Sequence, residues 1–202
     1  MKFLLACTFI LVTSLFISCK EDSKIDSPES KESVEYRYYN LENRGWKSRK
    51  ETVDVNQILY TAVDVPIQYY ILKQLGSNDL VEVDSISNAL KSERIIEFVF
   101  EHKQGVDLLT DKYSGLDTES SIKYMSFAIN KDFYAVTSKN DTISCENVLY
   151  ERHFKVTPYT KILLFFSGIK PEDAVQIIYE DKLFKNGKMT FFMNEPYEEI
   201  LL

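Results

Sequence analysis

The sequence predicts a mainly β protein, an antiparallel β-sandwich of immunoglobulin-like architecture with one or two short helices near the N-terminal side. Aromatic residues favour strands, and the chain of 202 residues contains 13 tyrosines and 13 phenylalanines. Apolar runs separated by turn residues recur at short intervals in the second half of the chain. No helical pattern lies between these runs, which favours antiparallel pairing over a parallel sheet with crossover helices.

The N-terminal residues have the composition of a secretory signal. Lys2 is the only charged side chain in residues 1–18, and the run from Phe3 to Ile17 is apolar apart from three hydroxyl residues. The run is shorter than the roughly 20 residues that a membrane-spanning helix needs, and it lacks a basic stop-transfer flank. We therefore expect residues 1–18 to be a signal peptide rather than a transmembrane helix.

A small residue followed directly by cysteine, Ser18-Cys19, ends this run. The stretch 15–19 (LFISC) resembles the lipobox of bacterial lipoproteins, although Phe16 stands where leucine is most frequent. The resemblance implies cleavage before Cys19, a diacylglycerol on its thiol, and a further acyl chain such as palmitate on the new amino terminus. One myristoyl chain alone holds a protein only marginally, so two or three chains on one cysteine are expected to hold it stably. The alternative is a plain secretory signal with an incidental cysteine.

The three residues after the cysteine, Lys20, Glu21 and Asp22, resemble the surface-export signal of some Gram-negative lipoproteins. The resemblance implies a protein that its lipid anchors in the bacterial outer membrane, facing outward. Lys20 agrees with the outer membrane, because an aspartate at this position often retains such lipoproteins at the inner membrane. The sequence thus assigns lipid attachment to Cys19 and the export signal to Lys20, Glu21 and Asp22.

Residues 19–33 are expected to be the lipidated cysteine and a disordered tether. Ile25 is the only aliphatic residue in 20–33, so this segment cannot bury enough apolar surface to offset its ordering entropy. Loss of Lys2 with the signal moves the formal net charge from −7 to −8. An acidic chain does not suit nucleic acid, whose phosphates require a basic face. The expected partners are therefore the membrane, through the lipid anchor, and a protein of the envelope.

Residues 34–202 are expected to fold as one β-rich domain, in which 34–92 form a less regular α+β part and 93–194 form the β-sandwich. About 170 residues are enough to bury a core without disulfide or metal staples. Strand patterns in the first part cover Val34–Leu41 and Trp46–Val55.

Two short helices are predicted in the first part of this domain. Asp64 suits the N-cap of a helix over 67–75, and a strand is the alternative for the same stretch. A second helix is predicted from Ile86 to Lys91, with its cap at Asp84 or Ser85.

Extended runs dominate the chain from residue 93 onward. Residues 111–121 are expected to form a polar loop with a short helical turn, and Asn130-Lys131-Asp132 a hairpin turn. Asn186-Gly187 between apolar runs is the strongest hairpin signal, and it predicts a two-residue turn. The predicted strands are Arg94–His102, Lys123–Ile129, Phe133–Thr137, Thr142–Val156 with a bend near Cys145, a central strand at Lys161–Ile169, Val175–Phe184 and Lys188–Met193.

The sequence contains no motif typical of catalysis or of a metal site, so no catalytic residue, metal or cofactor is predicted. A serine nucleophile elbow is missing, and the pattern around Cys145 is typical of a buried thiol in a strand. His102 and His153 are too isolated to indicate a zinc site. The acidic residues of one loop lack the EF-hand spacing and are expected to be solvated; they are Asp107, Asp111, Asp117 and Glu119.

Two aromatic patches are candidates for binding. Tyr150, Arg152 and Phe154 would share one face of a strand and form a candidate protein interface, with a cross-strand ion pair of the arginine as the alternative. A glycan platform is the second candidate, and a core role is its alternative; its side chains would be Tyr36, Tyr38, Tyr39 and Trp46.

We interpret the chain as a non-catalytic binding or structural module on a lipid anchor. One alternative is a small hydrolase acting on envelope or extracellular polymer. Another is a glycan-binding accessory protein. A concave site that gathers a histidine with two carboxylates would favour the hydrolase, and coplanar exposed aromatics would favour the glycan binder.

Overall fold

The computed structural model describes residues 48–75, 80–151 and 157–195 of the chain. In these residues two antiparallel sheets pack face to face, so the predicted mainly β sandwich is confirmed. The finer likeness to immunoglobulin domains stays a prediction. The strands are β1 (Lys50–Val55), β2 (Ile58–Val65), β3 (Glu93–His102), β4 (Phe133–Thr137), β5 (Thr142–Ser144), β6 (Asn147–Glu151), β7 (Tyr159–Ser167), β8 (Val175–Asp181) and β9 (Gly187–Met193).

Sheet A contains five strands in the order β1-β2-β3-β7-β6, and sheet B contains four in the order β5-β4-β8-β9. Strand β7 lies between two neighbours, so the predicted central strand is confirmed. Alternation along each strand places every second side chain between the sheets. There Phe98 packs edge to face against Phe133 and Phe191, with ring centroids 4.9 and 5.0 Å apart. These rings lie at the centre of the main core.

Two helices cover part of the outer face of sheet A. They are α1 (Ile67–Leu75) and α2 (Leu80–Ala89), which connect β2 to β3, and their apolar side chains form a second cluster with residues of sheet A. The helix predicted over 67–75 is confirmed. The second helix begins earlier than predicted because Val83 extends its buried face, so Asp84 and Ser85 lie inside it and do not cap it.

The largest error of the sequence prediction concerns the segment between β3 and β4. Its elements are α3 (Asp111–Ser114), α4 (Thr118–Phe127) and a 3₁₀ turn (Ile129–Asp132). The strand predicted at Lys123–Ile129 is wrong, and so is its hairpin. Asp117 caps α4, because its side chain accepts a hydrogen bond from the N–H of Ser120 at 2.9 Å. Met125 and Ile129 then reach the main core at helical spacing.

The single run predicted at Thr142–Val156 is divided between the two sheets. The N–H of Cys145 donates to the carbonyl of Phe133 in sheet B at 3.3 Å, whereas the N–H of Glu146 donates to Phe165 in sheet A at 3.0 Å. The chain therefore changes sheet at the position where a bend was predicted. The change of sheet between Cys145 and Glu146 divides the predicted strand into β5 and β6.

Strands β8 and β9 form the predicted hairpin, but not through a two-residue turn. Asp181 pairs with Gly187, so residues 182–186 form the loop. Gly187 has a φ of 81°, in the left-handed region that the Asn-Gly pattern predicts. Strand β8 ends before the predicted Phe184 because the Asp181 carboxylate binds the N–H groups of Phe184 and Asn186.

Several predicted features lie outside the described residues, namely the strand at Val34–Leu41, Trp46, the tether at 19–33 and residues 152–156. The division predicted between residues 92 and 93 falls within sheet A, because β2 and β3 pair directly. None of the helices in the described ranges is both long and apolar enough to cross a membrane.

Candidate functional site

Buried charge lies at one end of the sandwich, between the sheets. The carboxylate of Asp64 accepts hydrogen bonds from Arg94, from Nη2 at 2.8 Å and from Nε at 3.3 Å. Arg49 forms an ion pair with the same carboxylate, and Arg94 is only 2% exposed. The prediction that Asp64 caps α1 is therefore wrong. It belongs to β2, and its side chain neutralises buried guanidinium charge.

The two arginines also fix the loop that connects β7 to β8. Nη1 of Arg94 donates to the carbonyl of Asp173 at 2.6 Å, and Nη2 of Arg49 donates to the carbonyl of Pro171. The Asp173 side chain in turn accepts from the N–H of Lys170 at 3.0 Å. Buried donors need such acceptors, since each one left without a partner costs free energy. This cluster therefore serves the fold.

A second buried carboxylate, Asp181, links the two sheets. It accepts hydrogen bonds from the hydroxyl of Tyr60 in sheet A at 2.8 Å and from that of Tyr179 in sheet B at 2.9 Å. The N–H groups of Phe184 and Asn186 donate to it at 2.8 and 3.2 Å. Burial raises the pKa of both tyrosines above the ordinary value. Both hydroxyls therefore stay protonated and act as donors.

A third buried carboxylate, Asp132, accepts a hydrogen bond from Tyr124 and another from Nζ of Lys182 at 2.7 Å. Burial, reinforced by the bond to Asp132, raises the pKa of the Tyr124 hydroxyl. The Lys182 side chain is more than half exposed, so it neutralises the buried charge from the solvent side. A carboxylate held in this way is a structural acceptor.

Two further carboxylates meet a serine hydroxyl at one end of sheet A. Oγ of Ser167 lies 2.7 Å from Oε2 of Glu93 and 2.9 Å from Oε2 of Glu146. A hydroxyl has one proton to donate, so it satisfies one ionised carboxylate at a time. A serine nucleophile needs a base that a third group orients, most often a histidine. His102 lies at the opposite end of β3 from Glu93, so these side chains do not form a triad.

The fold buries His102 and Cys145. Nδ1 of His102 accepts from the N–H of Gln104 at 3.1 Å, and its ring packs on Tyr113. Cys145 is 5% exposed, as its pattern predicts. Burial raises the pKa of its thiol to about 11, so the thiolate needed for nucleophilic attack is scarce at neutral pH. His153 lies outside the described residues.

The acidic loop does not converge on a cation. The side chain of Asp107 accepts from the N–H of Leu109 at 2.9 Å, and that of Asp111 from the N–H of Lys112 at 2.9 Å. Asp117 caps α4. Among the residues that the structure describes, no group of three or more His, Cys, Asp or Glu side chains could hold a metal ion.

Of the candidate interface residues, Tyr150 belongs to β6, the edge strand of sheet A. Tyr150 is partly buried and packs against the main core, whereas Arg152 and Phe154 lie outside the described residues. The N–H of Val148 in this strand donates a hydrogen bond to Oδ1 of Asn147 at 2.9 Å. The Asn147 side chain thus accepts the hydrogen bond of a main-chain N–H group that a strand of another protein would otherwise use.

Exposed apolar side chains mark two other surfaces. Phe127, at the end of α4, is 77% exposed, and Phe192 of β9 is 49% exposed. Single exposed apolar residues are normal on protein surfaces. Several such residues on one face of a sheet are a better indication of a binding surface. Strand register places Phe192 in such a face, the outer face of sheet B. We define this face as Thr142, Ser144, Tyr134, Val136, Gln176, Ile178, Glu180, Lys188, Thr190 and Phe192.

Sequence reasoning missed the buried carboxylates, although a signal for them exists. Inward positions of β8 read Val175, Ile177, Tyr179 and then Asp181, so a charge stands where the alternation demands an apolar residue. Asp64 ends the inward positions of β2 in the same way. A charge at the last inward position of a strand indicates a buried partner at that end of the sandwich.

Comparisons with known proteins give no family. No protein-family model matches the chain, and no curated protein matches it. A solved structure from Burkholderia pseudomallei, described as a novel protein of unknown function, is 9% identical, with a TM-score of 0.33 over 77% of this chain and 81% of that chain. Likeness at this level assigns no function.

Proposed function

We propose that this chain is a lipid-anchored outer-membrane protein that acts as a non-catalytic binding or structural module. The observation that carries the proposal is Cys19, directly after Ser18 at the end of an apolar run. Its resemblance to a lipobox supplies the anchor. Lys20, Glu21 and Asp22 supply the address, by their resemblance to a surface-export signal.

The described residues support a module without catalysis. Each of the buried carboxylates Asp64, Asp132 and Asp181 accepts hydrogen bonds from two side chains of the fold. A general base needs a lone pair within reach of a substrate, and these carboxylates direct theirs to internal donors. Such networks rigidify a scaffold, which suits a protein that presents a surface to a partner.

The anchor is tested by metabolic labelling with a palmitate analogue. We expect Cys19→Ser to lose the label and to leave an uncleaved precursor. Cys7→Ser and Cys145→Ser are matched controls, because Cys7 leaves with the signal and Cys145 is buried; both should keep the label. Stable membrane retention of Cys19→Ser after carbonate washing, with the signal removed, would defeat the lipoprotein proposal.

The binding role is tested by chemical cross-linking in intact envelopes. We expect the wild type to cross-link to an envelope protein and the double variant Arg152→Ala, Phe154→Ala to lose that product. Phe127→Ser removes an exposed ring elsewhere on the domain and should keep it. Loss with Phe127→Ser alone would move the interface to α4, and a wild type that cross-links to no protein would contradict the binding role.

A further inference from the structure

Asn186 closes a hydrogen-bonded corner between the two sheets. Its Nδ2 donates to the hydroxyl of Tyr60 at 2.6 Å, and its Oδ1 accepts from Nδ2 of Asn56 at 2.7 Å. Asn56 belongs to the turn between β1 and β2, whereas Asn186 belongs to the loop between β8 and β9. This one side chain therefore joins the tip of a hairpin in sheet A to the tip of a hairpin in sheet B.

The corner requires an amide at position 186. A tyrosine hydroxyl has one proton to donate, and Tyr60 donates it to Oδ2 of Asp181 at 2.8 Å. The group that meets the lone pair of Tyr60 must therefore be a donor. An aspartate at position 186 would present an acceptor oxygen to that lone pair. It would also place a second carboxylate beside Asp181, which already accepts from the N–H of residue 186 at 3.2 Å, and like charges in one site are unfavourable.

The residue that follows makes this amide chemically labile. In an Asn-Gly pair the main-chain nitrogen of the glycine attacks Cγ of the asparagine, because no glycine side chain obstructs the approach. The bond from Cγ to Nδ2 then breaks, ammonia leaves with the proton of the attacking nitrogen, and a succinimide ring remains. Water opens the ring at either carbonyl carbon and gives aspartate or isoaspartate. Gly187 is exposed, and a Cβ there would meet no atom within 4 Å, so water reaches the site.

We propose that Asn186 is a site of spontaneous deamidation, that the native corner retards the reaction, and that the product detaches the β1–β2 turn from the β8–β9 loop. Ring closure moves Cγ onto the nitrogen of Gly187, so Oδ1 and Nδ2 must leave Asn56 and Tyr60, the partners that hold them. The reaction therefore takes place in molecules whose corner has opened. Because ammonia is lost, each such event leaves a permanent carboxylate, and the corner does not close again.

The first measurement follows deamidation at position 186 of the full-length protein by peptide mass spectrometry at neutral pH. Two hydrogen bonds, each corresponding to a factor of roughly five, should make the native protein react at least about tenfold more slowly than the protein in urea. Asn56→Gly removes the donor to Oδ1 without strain, because residue 56 has a φ of 50°. This variant should raise the native rate roughly fivefold. Gln57→Gly, also at positive φ in the same turn, is the control and should not change the rate.

The second measurement is hydrogen exchange at the N–H groups of Phe184 and Asn186, which the buried carboxylate of this corner binds. Asn186→Asp should raise both exchange rates at least about fivefold, the factor that corresponds to one hydrogen bond. Gln57→Asp adds the same charge to the neighbouring turn and should leave both rates unchanged. The N–H of Gly168, hydrogen-bonded at 2.8 Å in the loop after β7, should exchange equally in every variant. The deamidated fraction of aged wild type, separated by ion exchange, should match Asn186→Asp.

Four results overturn the proposal. No reaction at position 186 in urea removes the modification site. Equal rates in the native protein and in urea show that the corner gives no protection. A native rate that is unchanged or lower in Asn56→Gly shows that the bond to Oδ1 does not retard the attack. Unchanged exchange in Asn186→Asp and in the aged fraction shows that the corner tolerates a carboxylate. If Asn56→Gly does not fold, Asn56→Asp replaces it under the same criterion, with Gln57→Asp as its control.

Discussion

Asp181 is the residue through which the two sheets share a buried charge. Its carboxylate accepts four hydrogen bonds, two from tyrosine hydroxyls and two from main-chain N–H groups. Asp181→Ala leaves these buried donors without an acceptor, and because one such unsatisfied donor costs about 1–3 kcal/mol, we expect a combined cost of about 3–5 kcal/mol. We predict a loss of that size in the free energy of unfolding for Asp181→Ala, measured by urea denaturation. Glu180→Ala, at an exposed neighbour, should change it by less than about 0.5 kcal/mol; equal stability of both variants would refute this role of Asp181.

Lys161 lies between Glu97 and Glu151 on the outer face of sheet A, with Nζ 3.1 and 3.0 Å from their carboxylates. Partial burial lowers its pKa, but the two carboxylates outweigh burial, and the net pKa is raised. Since the folded pKa exceeds the unfolded value of roughly 10.4, the stabilisation is complete below that pH and is lost as pH rises through the folded pKa.

We predict that Lys161→Met lowers the free energy of unfolding by about 1 kcal/mol at pH 7. The difference from the wild type should shrink above about pH 10.5. Urea denaturation from pH 7 to 11 measures both effects. Lys103→Met, which removes a half-exposed pair with Asp54, is the control and should cost less than about 0.5 kcal/mol. A difference that grows at high pH would contradict the assigned sign.

At the scale of elements, the β8–β9 hairpin depends on a left-handed residue at its end. A Cβ at Gly187 would meet no atom within 4 Å, and φ is 81°, so Gly187→Val tests backbone strain without a clash. We predict a cost of about 1–3 kcal/mol in chemical denaturation. Lys188→Val, one residue on and exposed, should cost less than about 0.5 kcal/mol. An unchanged midpoint for Gly187→Val would remove the backbone argument for this hairpin.

The elements that sequence predicts well are those whose pattern is local. Strand β3 alternates along its whole length, with Ile96, Phe98 and Phe100 inward, so its prediction is confirmed within a residue. Helix α4 was missed because its apolar residues are few and its cap, Asp117, looks like part of a polar loop. Strands β5 and β6 were fused because nothing local shows that Cys145 carries the chain into the other sheet.

At the scale of the whole molecule, the buried polar sites depend on topology. Arg49, Asp64, Arg94 and Asp173 meet only because β1, β2, β3 and the loop before β8 end at the same corner. The residue types can be read from the sequence. Their contact at this corner cannot, because it depends on the order of the strands in the sheets. The anchor and address that we propose at residues 19–22 are the opposite case, because a lipidation or sorting signal is read as a linear motif without folding. The sequence therefore supports a functional proposal for residues 19–22 and much less of one for the domain.

The last prediction concerns the proposed export signal. The composition around Lys20, Glu21 and Asp22 predicts a tether without packed structure, so replacing all three by alanine should leave lipidation and the melting temperature unchanged. The replacement should move the protein from protease-accessible to protease-protected in intact cells. Scrambling residues 28–33 keeps the tether's length and charge and serves as the control that stays accessible. A wild type already protected from added protease would make this a periplasm-facing lipoprotein. A triple variant that stays accessible would keep the outward display but assign its signal to other residues.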